Sequence, residues 1–339
     1  MLYILPEILK ENLPLSTMSI INEAVNRGAS YEVISPRDFV VLRLNGHEEH
    51  LASQCTKYTT YGANRICKDK NTTKVFLNRA GIKTPEGQLF LKGAMTGALE
   101  YAKELGWPIV LKPKDGTKGQ NVFANIHNED EFQSKWSRFA DSDEIIVEKK
   151  FVGTEYRIWA TRDKVYGINN RVPANVIGDG KSTILELVDE KNKDKNRGLA
   201  EDPLPLKKIE INDEAIHILE KSDKKPDSIP QNGEQVFLRN NSNLFTGGDS
   251  IESLDIAHPS VKEIAVKAVC AIPGLPYGGV DFMTTDITAP QDDGTYVIIE
   301  MNHSPGIDGH QFPAVGTPRN IAKVIVDMLF PETIVEGDK

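Results

Sequence analysis

Four groups of side chains in this 339-residue chain have the types and spacing for chemistry. The first is WPIVLKPKDGTKGQNVF, residues 107 to 123. An apolar run delivers Lys112, and a glycine-flanked loop adds Lys114 and Lys118 beside Gly116 and Gly119. Backbone amides next to glycine approach an anion without Cβ hindrance, so this loop can hold a phosphate. The spacing matches neither GxxxxGK[ST] nor GxGxxG, and a hairpin turn with exposed lysines is the competing reading. The second group is a carboxylate pair. In GGVDFMT a period of two puts Val280 and Phe282 on one strand face and Asp281 on the other. In YVIIEMN the same rule sends Val297, Ile299 and Met301 to the core and leaves Glu300 and Asn302 opposite. Hard oxygen donors on such strands suit Mg²⁺, which keeps waters and phosphate oxygens in its shell. A solvated strand face is the alternative.

The third group is VEKKFVGTEYRI, residues 147 to 158, where Glu148 ends one strand and Glu155 begins another across a connection holding Phe151 and Gly153. Both carboxylates can line one cleft, and Glu155 and Arg157 share a face by their spacing of two. A glutamate can accept two ribose hydroxyls and a strand-edge backbone can pair with adenine; a hinge with a surface ion pair competes with this. The fourth group comprises RVPANVIGDGKSTI and FLRNNSNLFTGGDS, whose Arg171 and Arg239 are fixed cations suited to carboxylate or phosphate, or are solvated surface residues.

The elements that must position these groups can be read from periodicity. Residues 17 to 45 read as a helix stopped by Gly28 and then a strand. Next come helices Thr72 to Ala80 and Ala94 to Leu105, strand Pro108 to Leu111, strand Asn121 to Asn125, helix Glu129 to Phe139 and strand Glu144 to Glu148. From Gly153 short strands dominate, among them Tyr156 to Ala160, Lys164 to Ile168, Val172 to Ile177, Gln235 to Leu238, Gly279 to Met283 and Tyr296 to Met301. The charged stretch Asp189 to Leu206 reads as a solvated loop or lid, or a plain connector. A helix from Asn320 to Leu329 precedes a frayed end. The expected organisation is a short α/β unit over 1–68, an α+β lobe over 69–150, a second lobe over 151–332 and a tail over 333–339.

Composition bounds the function. With 49 acidic against 40 basic side chains the formal net charge is −9, which argues against nonspecific nucleic-acid binding. No stretch approaches the roughly 20 apolar residues of a membrane span. MLYILPEILKENLPLS lacks a basic n-region and is a poor secretory signal, so a cytoplasmic protein is expected. Cys55, Cys67 and Cys270 fit neither a disulfide framework nor a zinc site.

In their order, the lysine loop, the hinge glutamates, the arginine stretches and the late Asp and Glu-x-Asn resemble the ATP-grasp superfamily of carboxylate-amine ligases. Within it, LSTMSIINEAVNRG, CKDKNTTKVFLNRAGIKTP, FVGTEYRIWA, LRNNSNLFTGGDS and HPSVKEIAVKA resemble the glutathione-synthetase half of bifunctional glutathione synthetases. Cyanophycin synthetases come next, through RVPANVIGDGKSTI and DKNTTK. The resemblance implies an α+β fold with two lobes holding ATP between them. It makes Lys70 and Lys112 the ATP-phosphate lysines, and folds the Asp115–Gly119 loop, with Lys114, Gly116, Lys118 and Gly119, over the phosphates. Glu148 would face the adenine amino group, Phe151 would offer hinge backbone and Glu155 would hold the ribose. Asp281, Glu300 and Asn302 would hold two Mg²⁺, with Mn²⁺ as a substitute. Arg239 would stabilise an acyl phosphate as the catalytic arginine, while Arg157, Arg171 and Ser304 would line the substrate side.

The implied reaction joins a small carboxylic acid to an amine with release of ADP, γ-glutamylcysteine and glycine being the first pair. Another amino-acid, dipeptide or cyanophycin-like ligase is the alternative, and a noncatalytic nucleotide-binding protein a further one. The chain carries no glutamate-cysteine ligase module, so only the second half of that pathway is expected. Glu300-Met301-Asn302-His303-Ser304-Pro305 departs from the ELNFNP of the glutathione synthetases toward the N-x-S-P-G of D-alanine-D-alanine ligases, which leaves the acceptor amine open. His303 and His310 flank this loop and are read as packing or hydrogen-bonding residues, with a base for the amine as the alternative. Expected partners are small molecules, with neither nucleic acid nor membrane, and a homodimer by analogy.

Overall fold

The computed structural model describes residues 4–35, 39–115, 121–140, 143–199, 201–240, 242 and 244–334. Gly116, Lys118 and Gly119 of the expected phosphate loop lie outside the described residues. The chain divides into two compact units: Met1–Lys57 with Tyr166–Leu254 and Ser304–Lys339, and Tyr58–Val165 with Asp255–His303.

The second of these units carries most of the expected site. Strands Gly87–Leu91, Glu144–Lys149, Ile109–Pro113 and Phe123–Ile126 form an antiparallel sheet in that order. Their alternation is what sorts chemistry from packing. Ile109, Leu111, Ile145 and Val147 join Ala98, Leu99 and Ala102 of helix Met95–Leu105 and Phe132 and Trp136 of helix Glu129–Trp136 in one core. Lys112 and Glu148, of opposite parity, therefore face the other way. Val110 pairs with Glu148 and Lys112 with Ile146, so the two charged residues are diagonal neighbours.

Strands Thr154–Thr161, Tyr277–Thr284 and Tyr296–Asn302 form a further antiparallel set in this unit. Val280, Phe282 and Met301 are buried, as the period of two predicts. Ile299 departs from that expectation. The register passes from Asp281 opposite Glu300 to Phe282 opposite Ile298, so Ile299 is the extra residue of a bulge and Ile298 is the one fully buried. A bulge resets the parity of everything beyond it.

In the first unit, strands Phe39–Leu44 and His47–Ala52 form a hairpin over Asn45-Gly46, and Ser30–Ser35 completes a three-stranded antiparallel sheet. Asn45 and Gly46 have φ of 51° and 83°, the left-handed pair that a two-residue hairpin needs. The expected strand from Val172 to Ile177 is two elements. Val165–Val172 pairs with Asp249–Glu252, whereas Asn175–Ile177 pairs with Gln235–Phe237. Pro173, which has no N–H to give a ladder, lies at the break. A second core, including Val176, Ile184, Val188, Ile209, Leu219 and Val236, packs around helices Ile184–Lys191 and Asp213–Glu220.

The charged segment 189–206 is exposed over much of its length, as expected, but is anchored from within. Its Arg197–Gly198 pairs in parallel with Leu206–Lys207, and Arg197 is 4% exposed. Arg197 Nη1 donates to the carbonyls of Lys207 at 2.8 Å and Gly247 at 3.1 Å, and Nη2 meets Asp249 Oδ1. Asp249 Oδ2 also accepts from Lys191 Nζ at 2.6 Å and Asn175 Nδ2 at 3.2 Å. A buried guanidinium is tolerated only with such partners, and these tie the segment to both arginine stretches.

Two expectations follow. Arg197→Met leaves Asp249 with Lys191 and Asn175 alone, and urea unfolding should show a loss of about 3 kcal/mol; a loss below about 1 kcal/mol would mean that Lys191 suffices. His47 donates from an imidazole held between Glu332 at 2.8 Å and Glu49 at 2.9 Å. The Glu332 bond does most to raise its pKa; burial opposes that, and the Glu49 bond adds to the rise. The added stability is thus complete below the ordinary value of about 6.5 and lost as pH rises through the elevated folded value. The melting-temperature gap between the native chain and His47→Gln should close on going from pH 5.5 to about 8.5. A gap constant across that range would reject the assignment.

Candidate active site

Two lysines and one glutamate form a buried knot at the base of the site. Lys112 Nζ lies 2.5 Å from Glu148 Oε1, and Lys74 Nζ donates to Glu148 Oε2 at 3.2 Å. All three are less than 10% exposed. Lys74 and Lys70 stand one turn apart on helix Lys70–Arg79, whose first turn is capped by Asp69 accepting from the Thr72 amide at 2.9 Å. Burial pushes the Lys74 ammonium down; Glu148 opposes that, and Lys112 adds to it.

The carboxylates stand on the neighbouring strands in a transverse row. Arg157, Asp281 and Glu300 are directly opposite one another in register across three strands. The Arg157 guanidinium grips Asp281 from two sides, Nε to Oδ1 at 2.5 Å and Nη2 to Oδ2 at 3.2 Å. Lys70 Nζ is 4.0 Å from Glu300 Oε2. Burial raises the Glu300 pKa, and the Asp281 carboxylate beside it pushes the same way; Lys70, Arg157 and Lys112 pull against them. Asn302 lies opposite Gly279, two residues along the same strand.

This donor set fits a hard divalent cation. Two carboxylates forced side by side repel, which a metal relieves, and the amide oxygen of Asn302 adds a neutral ligand. Among the described residues no three His, Cys, Asp or Glu side chains gather in metal-binding geometry, so the set is two carboxylates and an amide rather than a cluster of those types.

The other expected residues divide between the units. Glu155 lies opposite Met283 and shares the Arg157 face of its strand, between buried Tyr156 and the hinge. Phe151 is half-buried in that hinge, where Gly153 runs so close to Thr284 that a Cβ would meet its carbonyl oxygen at 2.6 Å. Lys114 lies on the Lys112 face of the sheet but is paired apart from the knot: its Nζ bonds Glu144 at 2.7 Å and lies 3.5 Å from Asp69. Arg171, Arg239 and Ser304 belong to the other unit. There Arg171 pairs in register with Ser250, and Ser304 Oγ accepts from the Gln54 amide at 3.3 Å. Arg239 is buried and donates to the carbonyls of Leu238 at 2.8 Å and Glu210 at 3.2 Å. Of the two histidines, His303 Nε2 lies 2.9 Å from Asn64 Nδ2, and its pKa is lowered by burial and then by Lys68; His310 is buried in the first unit.

The arrangement brings Lys70, Lys112, Glu148, Arg157, Asp281 and Glu300 together within one unit. Cations beside paired carboxylates can hold a polyphosphate and its metal. Lys74 and the Arg197–Asp249 pair were missed by sequence reasoning. The four-residue spacing of Lys70 and Lys74 on one helix face was the signal for the first; nothing local marked the second.

No protein-family model matches the chain. A cyanophycin synthetase of Trichormus variabilis is 37% identical over 320 residues, covering 93% of this chain and 35% of that protein. The glutathione biosynthesis bifunctional protein GshAB of Clostridium perfringens is 35% identical over 327 residues, covering 94% and 41%. The chain thus spans well under half the length of these curated relatives. Among solved structures, the bifunctional glutathione synthetase from Pasteurella multocida superposes with a TM-score of 0.76 at 31% identity, over 95% of this chain and 44% of that one. No described helix is long and apolar enough to cross a membrane. With this fold and these similarities, the chain belongs to the ATP-grasp superfamily of ligases, along the stretch it has in common with cyanophycin synthetases and bifunctional glutathione synthetases.

Proposed function

We propose that the chain is an ATP-dependent carboxylate-amine ligase that forms an amide bond through an acyl phosphate. The observation that carries this reading is the in-register row Arg157–Asp281–Glu300, with Lys70 4.0 Å from Glu300, in the same unit as the Lys112–Glu148 pair. A carboxylate is a poor acyl donor because its oxygen is a poor leaving group. Its attack on the γ-phosphorus of ATP breaks the bond to the β-phosphate oxygen, forms the acyl phosphate and frees ADP. The amine nitrogen then attacks the acyl carbon and loses its proton, and phosphate departs. No side-chain nucleophile is needed; charge stabilisation and positioning supply the catalysis.

Lys70 and Lys112 bind the phosphates, and Lys114, Gly116, Lys118 and Gly119 are assigned to the same task. Glu148, Phe151 and Glu155 serve the nucleoside. Asp281, Glu300 and Asn302 would hold two Mg²⁺, or Mn²⁺ in their place, which would neutralise charge on the β- and γ-phosphates. Arg239 stabilises the acyl phosphate. Arg171 and Ser304 line the acid and amine sites, joined by Arg157, whose grip on Asp281 also fixes the metal face. We assign a cytoplasmic enzyme with an α/β unit over 1–68, lobes over 69–150 and 151–332 and a tail over 333–339, and a homodimer by analogy alone.

The first substrate pair is γ-glutamylcysteine and glycine, supported by the similarity to the bifunctional glutathione synthetases. The second reading is a cyanophycin-like or other amino-acid ligase, favoured by the 37% identity to a cyanophycin synthetase.

ADP release should require Mg²⁺, an acid and an amine, and Glu300→Ala should reduce it about a hundredfold or more. Unchanged turnover in that variant would remove Glu300 from the metal site, and ADP binding without turnover on any acid would favour a noncatalytic protein. A matrix of acids against amines, scored by phosphate release and product mass, decides the substrate pair. Glutathione should appear with γ-glutamylcysteine and glycine; its absence, with product from an acidic peptide and an amino acid, would select the cyanophycin-like reading.

A further inference from the structure

The Lys74 side chain has no place in the reaction as written above. A lysine on an amphipathic helix ordinarily keeps its ammonium in water, because removing it costs several kcal/mol unless it is paired. Lys74 is instead 7% exposed, and its Nζ is directed to Glu148 Oε2 at 3.2 Å. The same carboxylate holds Lys112 Nζ at 2.5 Å through Oε1. One buried anion thus serves two buried cations, and a positive charge is left over beside Lys70. That surplus is costly in isolation and is relieved by a polyanion arriving at this face. Geometry gives Lys74 a second task. Glu148 has rotatable χ angles, and a carboxylate bound through one oxygen alone can swing; fixing both oxygens on different elements, helix Lys70–Arg79 and strand Ile109–Pro113, removes that freedom. Lys112 is held in turn, pre-set for its ligand rather than searching for it.

We propose that Lys74 is a positioning residue of the nucleotide site, holding Glu148 so that Glu148 fixes Lys112. The proposal rests on reading this unit as the ATP site. It also gives the four-residue spacing in DKNTTK a physical purpose: the first lysine reaches Glu300 and the second sets the glutamate behind Lys112.

The test is calorimetric titration of the full chain with ADP and Mg²⁺, together with steady-state KM for ATP. Lys74→Met should weaken ADP binding about tenfold and raise KM more than it lowers kcat. In a Glu148→Gln background the same substitution should add less than about twofold, because the carboxylate it steadied is gone. Thermal melts accompany each variant, and Lys74→Gln replaces Lys74→Met should the latter not fold. Additive losses in the double variant, or a lower melting temperature with unchanged affinity and KM, would overturn the proposal and leave Lys74 a packing residue. Lys112→Met separates the two levels of inference. If Lys112→Met loses ADP affinity while Lys74→Met keeps it, only the role of Lys74 fails. If the native chain and Lys112→Met bind ADP equally, or neither binds, the ATP-site reading fails and the role of Lys74 with it.

Discussion

Like charges held side by side on adjacent strands are the constraint on which the rest of this site depends. Asp281 and Glu300 are opposite residues of one antiparallel pair, and nothing in strand geometry lets them separate. Their repulsion, added to burial, raises the Glu300 pKa and must be met by cations. Arg157 meets it from the next strand and Lys70 from the helix at 4.0 Å. A bulge at Ile299 keeps both carboxylates on one face while the hydrophobic residues beyond it return to the core. Without that extra residue, Glu300 and Ile298 could not occupy opposite environments.

The same logic of offset charge recurs at two more points, each with a different balance. At Glu148 two buried lysines share one carboxylate, and the excess is positive. At Asp249 a buried arginine and a half-buried lysine share one carboxylate, and carbonyl oxygens of Lys207 and Gly247 take up the remaining guanidinium donors. The surplus at the first knot would be offset by a polyanion, as the proposed nucleotide site requires. The second ties helix Ile184–Lys191 to strands Asn175–Ile177, Arg197–Gly198 and Asp249–Glu252 inside its own unit, where neutralisation by backbone carbonyls serves stability instead. An overall charge of −9 describes neither knot, because both are local exceptions to it.

Much of this was legible before the fold was known. Lys112, Asp281, Glu300 and Asn302 stand out because charged and amide side chains in or beside apolar strands break the pattern around them, whereas Lys70 was marked only by the resemblance to the ATP-grasp ligases. Five helices and most strands followed from periodicity and from glycine stops such as Gly28 and Gly81, both with positive φ, whereas helices Tyr61–Lys68, Ile184–Lys191, Asp213–Glu220 and Pro259–Ala271 went unread. The hairpin over Asn45-Gly46 went unread although its turn signal was present. In segment 189–206 the burial of Arg197 went unread for a different reason. A run of mixed charge has the composition of a solvated loop, and only a distant aspartate makes burial of Arg197 affordable.

The sequence by itself determined the residue types, the alternation that places carboxylates opposite apolar residues, and the membership of the chain in a superfamily of ligases. The alternation depends on neighbours a few positions apart, set by local sterics and hydrophobic burial, whereas the resemblance rests on the order of motifs along the whole chain. Tertiary structure alone decided which charge meets which. Arg157 and Asp281 are 124 positions apart, Lys74 and Glu148 are 74 apart, and Arg197 and Asp249 are 52 apart. Such pairs form because desolvated ions require a partner of opposite sign within a few ångströms, and only the packed chain determines which candidate arrives there.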